Sequence, residues 1–167
     1  LVCESKKMEL SSISTTSTKY GIGVAYTTSP AGAYELTVEA GSSNGTYSLK
    51  NGSNYLYWNS GNSLATNTTK SAKTSWLITF SNGDATIKNA QDNSRIIGWN
   101  ASSPRFACYT SSQTAVQLYK KAPSFTITAT SNNVSYGTVT VSGTTITADP
   151  NDGYRVKSGD AGYTVTS

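Results

Sequence analysis

Two stretches of the chain can be written one above the other with almost every step in register: TYSLKN, NYLYWN and SWLITF from Thr46 to Phe80, then ATIKN, RIIGWN and AVQLYK from Ala85 to Lys120. Leu49 falls on Ile87, Lys50 on Lys88, Asn51 on Asn89, Leu56 on Ile97, Trp58 on Trp99, Asn59 on Asn100 and Ile78 on Leu118, a period of about 40 residues. A fainter copy precedes them. Its four segments are Leu1 to Cys3, KKMELSS, YGIGVAY and AYELTVE, with Met8 over Leu56 and Leu36 over Ile78. One such unit cannot bury its apolar face alone and must close against its copies, so the repeat constrains the fold more than any single residue does. Three copies predict threefold pseudosymmetry.

The kind of unit follows from the side chains. Eleven tyrosines and three tryptophans stand among abundant Ser, Thr, Asn and Gly, with only 13% charged residues. β-branched and aromatic side chains pack well on pleated surfaces, and period-two alternation appears at Trp76, Ile78, Phe80, at Val116, Leu118 and at Phe125, Ile127. No window sustains the 3.6-residue spacing of an amphipathic helix, so an all-β protein is expected. Four short strands per copy give twelve in all, and closure is the way to remove their exposed edges. A β-trefoil-like barrel fits best, six strands sealing a barrel and six forming a cap of three hairpins. Its expected core is Leu49, Leu56, Trp58, Leu64, Trp76 and Ile78 in the second copy, and Ile87, Ile97, Trp99, Phe106, Val116 and Leu118 in the third. The first copy offers Met8, Leu10, Ile22, Val24, Tyr34, Leu36 and Val38. On this reading both Trp58 and Trp99 are interior packing.

The repeats end at Lys120-Lys121-Ala122-Pro123, where a proline forces its predecessor into extended geometry. Residues 1–121 therefore form one expected domain and residues 122–167 a second. The latter reads as short strands, SFTITATS, GTVTVSG, TTITADP and YTVTS, separated by turn signals at Asn132-Asn133, Ser142-Gly143 and Asp152-Gly153. It is a short β-sandwich, or immunoglobulin-like, fragment. So few large apolar side chains do not offset the ordering entropy of its backbone, so the fragment is either incomplete, with sequence continuing beyond Ser167, or leans on something else; Leu1, opening inside a strand, predicts residues before it as well.

Several chemistries are excluded or disfavoured. The chain has no histidine, the commonest general base and metal ligand, and no Walker, GxSxG or dinucleotide motif. Asp84 and Asp92 lie in turn contexts, and Glu35 and Glu39 flank one strand and share a face but read as solvent-facing strand residues, so a carboxylate-only active site is disfavoured and the chain reads as non-catalytic. A net charge of +4 is spread as short pairs such as Lys6 and Lys7, without the stripe of a nucleic-acid surface. Cys3 and Cys108 have neither CxxC spacing nor a nearby ligand; they read as two free buried thiols, with a bridge as the alternative. The run Asp149-Pro150-Asn151-Asp152-Gly153, with Asp160 beyond it, gathers oxygen ligands as calcium loops do, yet the same residues are what a tight turn requires. No cofactor is expected. Sequons beginning at Asn44, Asn51, Asn67, Asn100 and Asn133 mark surface loops only if the host performs N-glycosylation.

What remains is aromatic and amide-rich. Tyr55 and Tyr57 flank Leu56 and so point away from the core, beside Asn59. A flat ring packs on the apolar face of a sugar while amides fix its hydroxyls. In the third copy Gly98 replaces Tyr57, so a site there would use Asn100, Arg105 and Tyr109, and in the first copy Glu9 and Ser11 stand in the equivalent places. The candidate ligand-binding residues are thus Tyr55, Tyr57, Asn59, Asn100, Arg105 and Tyr109. The plainer reading of Asn59 and Asn100 is that each caps the turn after its strand by bonding backbone amides.

Taken together, YSLKN, YLYWNSGNSL, SWLITF, ATIKN, PRFACYTSSQ and AVQLYKK resemble a repeat module found near the ends of large secreted or surface-attached proteins of Bacteroidetes, nucleases and lipoproteins among them. The tail, with YGTVTVSG, TITADP and GYRV, is similar to bacterial immunoglobulin-like or internalin-type B repeats. The resemblance implies an accessory module on an exported, cell-surface protein and brings no set of catalytic residues. The expected function is non-catalytic binding or adhesion, with a glycan or a surface protein as partner and no nucleic acid. A structural spacer or assembly subunit without a small ligand is the alternative.

Overall fold

In the computed structural model, which describes residues 1–122, 126–131, 133–143, 145–155 and 164–166, the protein is all-β, and the alternation at Trp76, Ile78 and Phe80 is a strand. Contacts divide the chain into two units, Leu1–Lys120 and Lys121–Ser167. The first copy gives β1 (Val2–Cys3), β2 (Met8–Ile13), β3 (Gly21–Ala25) and β4 (Thr37–Ala40); the second gives β5 (Tyr47–Asn51), β6 (Asn54–Tyr57), β7 (Ala65–Asn67) and β8 (Trp76–Ser81). The third gives β9 (Asp84–Asn89), β10 (Ile96–Asn100) and β11 (Arg105–Tyr109), and its last segment joins only through isolated bridges at Val116 and Gln117.

Among the described residues every pairing is antiparallel. The pairs β2–β3, β6–β7 and β10–β11 are hairpins at equivalent places in the three copies, while β4–β5 and β8–β9 join one copy to the next. The β8–β9 turn is tight because Asn82 (φ 51°) and Gly83 (φ 88°) both take the left-handed conformation that a two-residue hairpin loop demands. One sheet runs β1-β2-β3-β11-β10-β9-β8-β5-β6-β7, with β4 on β5, and curls into a half-barrel. The bridges Val2↔Gln117 and Ala85↔Val116 draw the end of the third copy against both its own start and the first copy.

The repeat is visible in burial. Leu49 and Ile87 are both 0% exposed, Leu56 and Ile97 1% and 2%, Leu64 and Phe106 both 0%, and Trp76 and Val116 0% and 1%. Each such side chain contributes about 1.5–3 kcal/mol when fully buried. The recurring Asn51 and Asn89 do one job twice: their Nδ2 groups donate to the carbonyls of Glu35 (2.8 Å) and Lys73 (2.9 Å), tying each strand pair to the segment before it.

The first copy departs from the expected core. Ile22 and Val24 are 39% and 42% exposed, because Gly21 and Gly23 take the inward positions of β3. A Cβ on Gly21 would stand 2.5 Å from Leu10 Cδ1 and 2.9 Å from Phe106 Cβ, and one on Gly23 would stand 2.6 Å from Trp99 Cζ3. The third copy's aromatics therefore fill the space that the first copy leaves empty. Val38, on β4, which pairs with β5, is 55% exposed. The two tryptophans also part company. Trp99 lies in the core, edge to face with Phe106 at 4.8 Å, whereas Trp58 is half-buried, its Nε1 donating to Gly61 O (2.9 Å) and its ring beneath Lys73 and Arg95. Gly98 accounts for the difference in cover, since it leaves room for Gln113, whose Cβ would lie 2.7 Å from a Cβ there, and lets Thr114 bridge Trp99.

Two polar features anchor the unit. Glu9 is 4% exposed, and its carboxylate accepts the backbone N–H groups of Ala31 (2.9 Å), Gly32 (2.8 Å) and Ala33 (3.1 Å), pinning the long β3–β4 connection. Burial by itself would raise its pKa, but those three bonds outweigh it and hold the carboxyl below the ordinary range. Cys3 and Cys108 are free, buried thiols, and burial pushes both upward, Cys108 the further.

In the second unit β12 (Thr126–Thr128) pairs with β15 (Thr164–Thr166), and β13 (Gly137–Ser142) forms a hairpin with β14 (Thr145–Pro150). Asp149 and Pro150 end β14, and Asn151 to Tyr154 form a turn closed by Tyr154 N–H to Asn151 O (3.0 Å) with Gly153 at φ 89°. Tyr136 and Tyr154 stack at 4.8 Å. Pro123, Phe125, Asn132 and Asp160, and the side chain of Ile127, lie outside the described residues.

Candidate functional site

The loops that end the three hairpins converge. Lys19 O in the first accepts Leu64 N–H of the second (3.0 Å), Asn62 O in the second accepts Cys108 N–H of the third (3.3 Å), and Phe106 of the third bridges Gly21 of the first. Each hairpin thus touches the other two. A cleft of about 450 Å³ opens where they meet, lined by Ser17, Thr18, Lys19 and Tyr20, by Asn59, Ser60, Asn62 and Ser63, and by Asn100, Ser103, Arg105, Ala107 and Tyr109.

Local bonding fixes each wall. In the first loop the Ser14 hydroxyl meets Thr16 Oγ1 (2.7 Å) and donates to Thr18 O (3.2 Å). In the second, Ser63 Oγ accepts the amides of Asn59 (3.2 Å) and Ser60 (3.0 Å), so the cap is Ser63 and not Asn59. In the third, Asn100 Oδ1 accepts the amides of Ser102 and Ser103, both at 3.0 Å, as the plainer reading of that residue anticipates. Arg105 donates from Nε to Ser103 O (3.2 Å) and from Nη2 to Ser103 Oγ, and its guanidinium lies 4.8 Å over the ring of Tyr20. Lys19 Nζ donates to Thr15 O (2.8 Å).

Of the six residues singled out from the sequence, Asn59, Asn100, Arg105 and Tyr109 line this cleft. Tyr55 and Tyr57 do not. Tyr55 belongs to a charge cluster: its hydroxyl donates to Glu39 Oε2 (3.4 Å), Lys50 and Lys70 each lie 5.4 Å from its ring, and both pair with Glu39. The bond from Lys50 holds the Glu39 carboxyl below its ordinary range. Tyr57 reaches the rim indirectly, its hydroxyl donating to Asn59 Oδ1 (3.3 Å). Glu9 is committed to its loop amides, and Ser11 donates to Ile22 O (3.0 Å), so the first copy supplies Ser17 to Tyr20 instead. Alternation along one strand locates an outward face, whereas this cleft is made by loop ends from three copies. The signal for Lys19, Tyr20, Asn62 and Ser63 was their shared place in the repeat, after the second strand of each copy.

Chemically the walls offer amides, hydroxyls, two tyrosines and two cations, and the described residues lining the cleft include no carboxylate or thiol. Such a surface offers hydrogen bonds and ring contact.

No family model matches the chain, and no curated protein does. Among solved structures it is similar to a mosquitocidal holotoxin, with a TM-score of 0.53 and 15% identity over 87% of this chain and 20% of that one. The likeness is one of fold alone, and the chain spans about a fifth of the toxin's length.

Proposed function

We propose that the Leu1–Lys120 unit is a β-trefoil whose cap holds a saccharide, and that the chain is a non-catalytic binding or adhesion module of an exported bacterial surface protein. The observation that carries this reading is the cleft itself, in which equivalent loops of all three copies bring amides, hydroxyls and tyrosines to one place. The trefoil is supported by the triangle of hairpins, by the β4–β5 and β8–β9 joins between copies, and by the bridges of Val2 with Gln117 and Ala85 with Val116. An immunoglobulin-like spacer is the matching reading of the second unit, with its two antiparallel strand pairs. The resemblance to accessory repeats of surface proteins supports the exported setting, and a chain spanning a fifth of a holotoxin is consistent with one module of a larger protein.

A glycan array followed by calorimetry tests the proposal. At least one oligosaccharide binds saturably, and Asn59→Ala weakens it about threefold to tenfold, the worth of one neutral hydrogen bond, while the melting temperature stays put. Tyr57→Phe, which releases Asn59, weakens it less. An empty array, or an Asn59→Ala variant that binds like the parent, refutes the reading. A spacer or assembly subunit is favoured by one observation, the exposed apolar side chains Tyr136, Val141, Ile146 and Tyr154 of the second unit, and predicts an interface insensitive to both changes.

A further inference from the structure

Three asparagines face the cleft, and the carbonyl oxygen of each is already taken. Asn100 Oδ1 accepts two backbone amides, Asn62 Oδ1 accepts Arg95 Nη1 (3.0 Å), and Asn59 Oδ1 accepts the Tyr57 hydroxyl. For Asn100 and Asn62 the partners can only donate, which assigns the oxygen to that bond and leaves each NH₂ as the side chain's donor. The two cations add to the imbalance. Among the described residues neither Lys19 nor Arg105 pairs with a carboxylate; their bonds go to Thr15 O and to Ser103. Arg105 is also held in place, by Ser103 on one edge and the Tyr20 ring on one face, so little is lost in ordering it on a ligand. Its remaining guanidinium edge is a planar double donor suited to a carboxylate or sulfate.

We infer that the cleft selects saccharides carrying an anionic group, a ring carboxylate or a sulfate, over neutral ones, an inference that rests on the saccharide reading above. The wall's two cations and amide NH₂ groups give an anion several donors and a charge to meet, which a neutral sugar does not use. The charge enters from the first and third copies, and the amide donors from the second and third.

Calorimetry on the full chain tests it with four probes: a galacturonate hexamer, the same hexamer as its methyl ester, a sulfated chondroitin hexasaccharide and sodium sulfate. At least one anionic hexasaccharide binds tenfold or more tightly than the ester, and raising sodium chloride from about 50 to 500 mM weakens it. Arg105→Gln and Lys19→Gln each cost about tenfold on that ligand and under about twofold on the ester, with unchanged melting; the second variant keeps the test intact if the first disturbs its loop. Equal binding of acid and ester overturns this inference and leaves the saccharide reading standing. Failure of every sugar overturns both. Sodium sulfate binding as tightly as the sugars, or full affinity in both variants, overturns the selection proposed here.

Discussion

Replacing Glu9 by Gln removes one charge from a site where three backbone N–H groups converge on it. Hydrogen bonds to a charged group contribute about 1.5–3 kcal/mol each, against about 1 for neutral pairs. The Gln oxygen can take the place of Oε2 and keep Gly32 and Ala33, but its NH₂ then faces the Ala31 N–H, donor against donor. One bond is lost and two are weakened, a cost of about 2–4 kcal/mol at neutral pH. In urea, monitored by tryptophan fluorescence, that is a fall of about 1–2 M in the midpoint with an unchanged slope. Acid supplies a second readout. The folded carboxyl is held below its unfolded value, so its contribution is complete above about pH 4.5 and is lost as the pH falls through the folded pKa. Glu9→Gln has nothing to lose there, and the gap between the two proteins closes in acid. A gap under about 1 kcal/mol at pH 7, or one that stays constant into strong acid, refutes the argument.

Gly23→Ala places a methyl 2.6 Å from Trp99 Cζ3 and 3.2 Å from Met8 Cε, and overpacking of this kind costs about 1–3 kcal/mol; an unchanged melting temperature would mean that the indole moves aside freely. Cys3 and Cys108, buried with their thiols shifted upward, resist Ellman's reagent in the native protein and both react in denaturant, whereas rapid native labelling or a mass deficit from a disulfide would contradict their placement.

The all-β architecture was legible because alternation and repetition are properties of neighbouring residues. Leu49 with Ile87 and Leu56 with Ile97 could be matched by register alone, and both pairs are buried. The first copy was less legible, because the occupants of its inward positions are set elsewhere: Gly21 and Gly23 make sense only once Phe106 and Trp99 are known to lie against them. Trp58 and Trp99 align in the repeat yet differ in cover, a difference set by Gly98 and the chain near Gln113. The cleft shows the same limit. Asn59 belongs to one copy and Asn100, Arg105 and Tyr109 to the next, and no local pattern says that loops about 40 residues apart in sequence close around one space.

Three loops meeting at one opening have a consequence for valency. Repeating folds can offer one pocket per copy and hold a multivalent surface by several weak grips from a single molecule. Here the three copies share one pocket, with walls that are no longer alike: Lys19 and Tyr20 on the first, Arg105 and Tyr109 on the third, amides and hydroxyls without a ring or a charge on the second. On the saccharide reading proposed above, this cleft takes one ligand in a single polarity, and tight attachment to a polymer would then come from tandem or clustered copies of the protein.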